Sequence, residues 1–434
     1  MIDAASTQSS AMALRIGLGE LRALAGERVA VGATAAAIAM SPLLVPHGVQ
    51  NVAPADAFIG LAMWTCLVWV GTSSHRLRFP YAVPVALFMA GGTLGALAGP
   101  VPGSGIVAFL QDLVLLVWCW AVANLCSSPQ RLKTLLAAWV YSSIVWAGLL
   151  FLGLAIGSSI LTGQTTAEGS RTALTFGDPS FSANYYFVSL MIMWATGRPR
   201  HRALRFAAYG LLIAALLSAG SNSGIVSLTV GVLAAGVLAV YRRRGAVGAV
   251  AALAFVAVAA FVVSANISLK GIQQSAHESH YAFIRDGVGR SDVSEAQRGA
   301  LLGESINLYK TGGPLGQGPV STKVRLDREM APFVKEAHDD YLAALLERGP
   351  LGLIGLLLLV SSLGLKGLSL ATVRLARGFD AVVRHPHALF GALVGTLVSS
   401  TVYELLHLRH LWAFFAFIAA LYLWGRESRA PHAP

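Results

Sequence analysis

Apolar stretches recur along most of this chain and are separated by short polar connections. A helix needs about 20 apolar residues to cross a ~30 Å hydrocarbon core. Twelve segments satisfy or approach this length, so we predict an all-α polytopic membrane protein with about 12 transmembrane helices. The predicted spans are 29–46, 57–73, 80–99, 105–126, 134–158, 181–196, 203–219, 223–241, 246–265, 351–370, 387–403 and 411–425.

The composition supports this fold class, because only 12% of the residues are charged and 55% are hydrophobic. A soluble domain carries about a quarter of its residues as charges. The three cysteines, which lie in or beside apolar stretches, provide no disulfide framework and no zinc-site spacing. The formal charge of +11 does not indicate nucleic-acid binding, because the basic residues form short clusters between apolar runs.

The positions of the basic residues predict the orientation of the spans. With both termini cytoplasmic, 20 of the 32 Lys and Arg residues fall on the cytoplasmic side. Most of the others lie in or beside one long loop, and long loops translocate largely regardless of charge. The short external loops keep only Arg171 and Arg409, which are therefore either snorkelling side chains at helix ends or functional cations.

The long external loop covers residues 266–337 and is the only extended polar segment. It carries nine basic and eight acidic residues, which favours a small folded helical insert between spans 9 and 10. We predict an amphipathic helix over 294–309, whose face toward the membrane unit carries Leu301, Leu302, Ser305, Leu308 and Tyr309. The predicted organisation is a cytoplasmic segment at 1–28, a membrane unit at 29–265, the insert at 266–350, a second membrane unit at 351–425 and a cytoplasmic tail at 426–434.

Histidines in and after this loop are candidates for chemistry. His277 and His280 have a spacing that could hold a metal, but two ligands on a polar loop are weak support. His338 lies where the loop re-enters the membrane, directly before Asp339 and Asp340, whose carboxylates could orient its imidazole. The alternative is that His338 belongs to a solvated, acid-rich helix start.

The residues around His338 carry a resemblance to a known family. His338-Asp339-Asp340-Tyr341-Leu342, followed by Glu347-Arg348-Gly349 and a glycine-rich span start, resembles the signature of bacterial O-antigen ligases and O-antigen polymerases. Upstream, Arg298 and the turn Pro314-Leu315-Gly316-Gln317-Gly318 are similar to the family's arginine helix and its glycine turn. Arg171, followed by Asp178-Pro179-Ser180, is similar to its arginine and Asp-Pro entry into a span.

The resemblance implies a glycosyltransferase in the bacterial inner membrane that uses neither metal nor cofactor and has its active site on the periplasmic face. The donor would be a glycan on polyprenyl (undecaprenyl) pyrophosphate, and the acceptor a lipid-linked oligosaccharide such as the lipid A-core of lipopolysaccharide. Arg171, Arg298 and His338 would be catalytic, the arginines because they pair bidentately with phosphate oxygens. The predicted substrate-binding residues are Asp178, Ser221, Asn222, Gly316, Gly318, Asp339, Tyr341, Glu347 and Arg409.

Two positions depart from the family pattern. Asp339 stands where the family usually has Asn, and Asn222 replaces a basic residue after Ser221. A single long loop favours a ligase over a polymerase, whose relatives tend to have two. A transporter is the main alternative from another class, because spans six to eight contain glycine and serine breaks. Asp112 is the one acidic candidate for a buried coupling site within a span, and a structural subunit is a further alternative.

Overall fold

The structure is a computed structural model of the chain. It describes residues 25–45, 52–73, 75–165, 169–266, 268–281, 285–286, 289, 299, 302–310, 313–322 and 339–426. Helices make up 78% of it, and the described residues contain no strand. Leu375 and Arg426 form an isolated antiparallel bridge. The predicted all-α class is therefore confirmed.

Fifteen helices are named here in chain order. They are α1 (25–40), α2 (Pro54–Thr72), α3 (Ala82–Ala98), α4 (Pro102–Leu125), α5 (Pro129–Ile156), α6 (Ser159–Thr162), α7 (Pro179–Thr196), α8 (Arg202–Ser218), α9 (Asn222–Asn266), α10 (Leu269–His277), α11 (302–310), α12 (Asp340–Thr372), α13 (Phe379–Val382), α14 (Pro386–Ser399) and α15 (Arg409–Trp424).

Each of the twelve predicted spans overlaps one of these helices, but the structure does not confirm the number of crossings. Five helices are long and apolar enough to cross a membrane by length and composition: α2, α4, α5, α9 and α12. α9 breaks at Gly245, where the eighth and ninth predicted spans meet. α12 begins at Asp340 and breaks at Gly349, so the predicted boundary at residue 350 falls inside it. The count of twelve and the domain boundaries stay predictions.

Proline and glycine set several of the helix ends. α2, α4, α5, α7 and α14 all begin with proline, whose missing N–H costs nothing in the first turn. Gly157 and Gly197 end α5 and α7 in the left-handed conformation, with φ of 70° and 65°. The sequence therefore fixes the bounds of these helices locally.

Glycines let two helix pairs approach until their backbones touch. A Cβ added to Gly91 of α3 would lie 2.5 Å from the backbone nitrogen of Gly352 in α12. A Cβ added to Gly391 of α14 would lie 2.3 Å from the carbonyl oxygen of Gly231 in α9. Without a hydrophobic driving force between helices in lipid, such close contact is a principal source of their attraction.

The described parts of the long loop are partly helical. α10 and α11 lie within it, and α11 coincides with the C-terminal half of the helix predicted over 294–309. Ser305 and Leu308 of α11 are buried, as expected for its inner face, whereas Leu302 and Tyr309 are exposed. The amide of Gln317 donates to the carbonyl of Leu308 at 2.8 Å, which attaches α11 to the following turn. The location of this insert on the periplasmic side stays a prediction.

Valine at Gly91 tests the contact between α3 and α12. We expect Gly91→Val to lower the free energy of unfolding by about 1–3 kcal/mol, because the two backbones must separate to admit the side chain. The measurement is the thermal midpoint of the purified protein in detergent. Gly364→Val in α12 is the control, since a Cβ there meets nothing within 4 Å. An equal loss in both variants would contradict the contact.

Cysteine labelling tests the orientation. Position 280 in the loop should react with a membrane-impermeant maleimide in intact cells, and position 243, at the break of α9, should react only after lysis. The three native cysteines are buried and provide a low background. The reverse labelling pattern would refute the predicted topology.

Candidate functional site

Arg171 lies in an extended segment before α7 that runs along the end of α8. The backbone N–H of Thr172 donates to the carbonyl of Ser218 at 3.1 Å, and the two hydroxyls are 2.9 Å apart. The Arg171 Nε donates to the carbonyl of Ala219 at 3.1 Å. This bond fixes the guanidinium beside the connection that leads into α9.

The long loop contacts this same segment. The Asp286 carboxylate accepts hydrogen bonds from the Ser170 backbone N–H at 3.0 Å and from its hydroxyl at 2.7 Å. The bond from the Ser170 hydroxyl is the main reason that the pKa of Asp286 lies below its ordinary value. The carboxylate therefore stays ionised and holds part of the insert against the residue next to Arg171.

The first turns of α7 and α9 meet beside Arg171. Asp178 caps α7 by accepting from the Ser180 N–H at 2.6 Å. The Ser221 hydroxyl, which precedes α9, donates to the Ser180 hydroxyl at 3.2 Å and accepts from the Gly224 N–H at 3.3 Å. Asn222 begins α9 and is exposed. Helix N-termini attract anions, so this meeting point favours a negatively charged ligand.

α12 begins with two aspartates that bond to backbone groups. Asp339 caps the helix by accepting from the N–H groups of Tyr341 and Leu342 at 2.8 and 3.0 Å. Asp340 is 6% exposed, and its carboxylate accepts from the N–H groups of Leu405 and Leu406 at 2.9 and 3.3 Å. Asp340 thereby fixes the connection between α14 and α15, residues 400–408, to the start of α12.

The 400–408 connection joins the start of α12 to the start of α7. The Phe181 ring of α7 packs edge-on against His407 at 4.9 Å and against Tyr403 at 6.2 Å between ring centroids. The Ser400 hydroxyl donates to the Tyr341 hydroxyl at 3.4 Å. Continuous contacts therefore run from Arg171 through α9 and α7 to the start of α12, at one end of the bundle.

Arg409 lies at the same end, at the start of α15. Its guanidinium makes a bidentate ion pair with Asp56 of α2, with both N–O distances at 2.6 Å. Asp56 also accepts from the Ala53 N–H at 2.8 Å. Arg409, one of the two basic residues predicted in the short external loops, therefore has a structural role. Its contact with substrate stays a prediction.

The glycine turn of the insert packs directly against α12. The Gly318 N–H donates to the Glu347 carbonyl at 2.9 Å, and the Glu347 carboxylate accepts from Val320 and Thr322. Gly316 and Gly318 have φ of 85° and 90°, and a Cβ on Gly316 would lie 2.5 Å from the Gly349 nitrogen. Only glycine adopts this positive φ without strain and also leaves room for the backbone of α12, which explains the glycines of this turn.

A buried ion pair lies directly behind this turn. The Arg348 Nη2 is 2.6 Å from the Asp112 carboxylate of α4, and its guanidinium stacks over the Phe88 ring at 4.1 Å. Arg348 is 9% exposed, and its Nη1 has no hydrogen-bond partner among the described residues. Asp112, for which the sequence indicated no partner, is thus paired with a residue of the Glu347-Arg348-Gly349 motif.

Arg298 and His338 lie outside the described residues. Of the other predicted site residues, Arg171, Asp178 and Ser221 belong to one contact group, and Asn222 directly follows Ser221. Asp339, Tyr341, Glu347, Gly316 and Gly318 belong to the neighbouring group around α12. The 400–408 connection joins the two groups.

A comparison with family models supports the resemblance in the signature. Residues 207–357, about a third of the chain, match the model described as O-antigen ligase. This part of the chain is similar to the O-antigen ligase family. No curated protein matches it. The match runs from α8 into α12 and includes Ser221, the glycine turn and the positions of Arg298 and His338, whereas Arg171 precedes it.

Sequence reasoning missed several residues of this candidate site. The sequence marked Asp340 only as a neighbour of His338, and Ser180 only as part of the Asp-Pro entry. Arg348 belongs to the signature, but the pattern indicated no role for it. Its position directly before Gly349, where α12 breaks, was the available signal, because a charged residue within a membrane domain needs a partner.

A double-mutant cycle tests this ion pair. Asp112→Leu and Arg348→Met each leave one member of the pair without its hydrogen-bonded counterion, and we expect each to cost about 1–3 kcal/mol of unfolding free energy. Asp112→Leu combined with Arg348→Met should recover most of that loss, because no charge remains without its counterion. Unfolding in denaturant measures all three variants. If the double variant is as unstable as the sum of the single variants, the two side chains do not interact.

Proposed function

We propose that the chain is an O-antigen ligase-type glycosyltransferase. It moves a glycan from polyprenyl pyrophosphate to a lipid A-core acceptor on the periplasmic face of the bacterial inner membrane. The family domain supports glycosyl transfer by a membrane protein. The observation that carries the proposal is the bond from Arg171 to Ala219, which holds a guanidinium beside the joined starts of α7 and α9.

The leaving group of the proposed donor calls for a cation such as Arg171 beside the starts of α7 and α9. A pyrophosphate leaves as an anion, and without a metal its charge must be met by cations and N–H donors. In the proposed mechanism Arg171 binds one phosphate, while the starts of α7 and α9 direct positive dipole ends at it. Arg298, in the insert, supplies the second guanidinium. The contact between Asp286 and Ser170 supports this part of the proposal, because it attaches the insert beside Arg171.

His338 completes the proposed mechanism. It directly precedes Asp339, whose side chain caps α12, so one peptide unit links it to this end of the bundle. As general base it would take the proton from the acceptor hydroxyl, whose oxygen then attacks the anomeric carbon as the pyrophosphate departs. As a phosphate ligand it would instead stabilise the leaving group, and the pH dependence of transfer distinguishes these two roles.

Two alternatives remain beside the ligase. A polymerase would use the same donor site but transfer to another lipid-linked repeat unit. A transporter would use an intramembrane charge pair, and Asp112 with Arg348 is such a pair. Arg348, however, packs against Phe88 and the glycine surface of α3, as expected for a fixed structural element.

Transfer by the purified protein tests the proposed site. Arg171→Ala, Arg298→Ala and His338→Ala should each lower the rate by at least about 10²–10³-fold, as removal of a transition-state contact does. Arg171→Lys and Arg298→Lys should also fail, because an ammonium cannot reproduce the planar fork. The assay follows a polyprenyl-pyrophosphate glycan to lipid A-core, with EDTA present throughout.

Lys310→Ala is the matched control, since Lys310 is an exposed cation at the end of α11 in the insert. It should keep nearly full activity. Transfer to a second repeat unit instead of lipid A-core would identify a polymerase. Wild-type activity in His338→Ala, or loss of wild-type transfer on chelation, would refute the arginine–histidine mechanism.

A further inference from the structure

The opposite end of the bundle gathers an arginine cluster from three separate segments. α7, α14 and the first half of α9, up to its break at Gly245, each have one end at the candidate site, so their other ends lie together. The α7–α8 connection, the break of α9 and the segment before α14 contribute the cluster, which we define as Arg198, Arg200, Arg205, Arg242, Arg243 and Arg384. This end is the predicted cytoplasmic side.

Contacts join the α7–α8 connection to the segment before α14, and the charges at the break of α9 act on the same place. The His385 N–H donates to the carbonyl of Ala195 at 2.9 Å, which joins the start of α14 to the end of α7. A Cβ on Gly197 would lie 3.4 Å from the Arg384 side chain and 3.8 Å from Arg205. Burial lowers the pKa of His385, and the positive charges of Arg384, Arg243, Arg205 and Arg242 lower it further. The charges of these arginines therefore lie close together, near His385.

The cluster has no protein counterion within the described part of the chain. None of its arginines forms an ion pair with a described Asp or Glu. Asp380, the nearest acid along the chain, accepts instead from the N–H groups of Gly378 and Ala381. Like charges held together repel, and a bound anion removes that repulsion.

His387 supplies an independent sign of a ligand. It is the second residue of α14 and only 9% exposed, with its ring 5.5 Å from those of Trp194 and His385. Its Nδ1 is buried without a hydrogen-bond partner among the described residues. Buried imidazole nitrogens are normally paired.

We propose that the arginine cluster binds the phosphate of an anionic phospholipid, with His387 Nδ1 donating to it. A lipid fits better than a free anion, because exposed apolar side chains flank the cluster on the helix faces. Leu204, Phe206 and Val247 are 51%, 69% and 83% exposed and provide a seat for acyl chains. The positive-inside bias accounts for cations on this side but not for their convergence around a buried imidazole.

Lipid titration of the purified full chain tests this site. Native mass spectrometry would count dioleoylphosphatidylglycerol bound from detergent, with dioleoylphosphatidylcholine and sodium phosphate as comparison ligands. We expect Arg243→Gln/Arg384→Gln to weaken phosphatidylglycerol binding by about tenfold or more. His387→Leu, which keeps the apolar packing, should weaken it by a similar factor.

Arg374→Gln/Arg377→Gln is the matched control, because it removes two exposed cations from the same predicted side. It should change binding by less than about twofold, since surface charge at a distance is screened. Equal losses in the two double variants would overturn the proposal in favour of diffuse charge. Equal binding of phosphatidylcholine, or sodium phosphate displacing the lipid at equal concentration, would also overturn it.

Discussion

The end of the helix bundle that holds the candidate site depends on backbone contacts at glycine. A Cβ added to Gly95 of α3 would lie 2.3 Å from the Glu347 carbonyl oxygen and 3.1 Å from the Gly318 nitrogen. Three segments from distant parts of the sequence therefore meet without side chains between them. Because protein interiors transmit small displacements, one methyl group here would move the insert relative to α12. The glycine-rich signature is thus a packing requirement as much as a chemical one.

Carboxylates have structural roles around the candidate site. Asp178 and Asp339 cap helices, Asp340 holds the 400–408 connection, Asp56 neutralises Arg409 and Asp286 holds the insert. Each of these acids is occupied by backbone N–H groups, hydroxyls or a cation. The Nε of Arg171 donates to the carbonyl of Ala219, which holds the guanidinium beside the starts of α7 and α9. The arrangement keeps the region suited to an anion although it is rich in aspartate.

The sequence predicted local features well and long-range contacts poorly. The apolar runs located the helices, because a segment buried in a bilayer must be apolar along its length. The linear signature around His338 indicated the family whose model matches residues 207–357. The pair between Asp112 and Arg348 could not be predicted, since 236 positions separate them and no local pattern relates them. The same holds for the contact of Ser180 with Ser221 and for the role of 400–408 as a connector. The number of crossings depends on how short helices sit in lipid, which apolar length alone does not determine.

The bonds from Asp340 to Leu405 and Leu406 make two distant segments one cooperative unit. The first turn of α12 and the 400–408 connection share a buried carboxylate, so neither opens to solvent without exposing it. Local opening in proteins occurs in such units, which exchange their amide hydrogens together. The amides of Leu405 and Leu406 should therefore exchange at the rate of the α12 start and more slowly than their position in a connection suggests. A substrate that orders one segment would slow exchange in both.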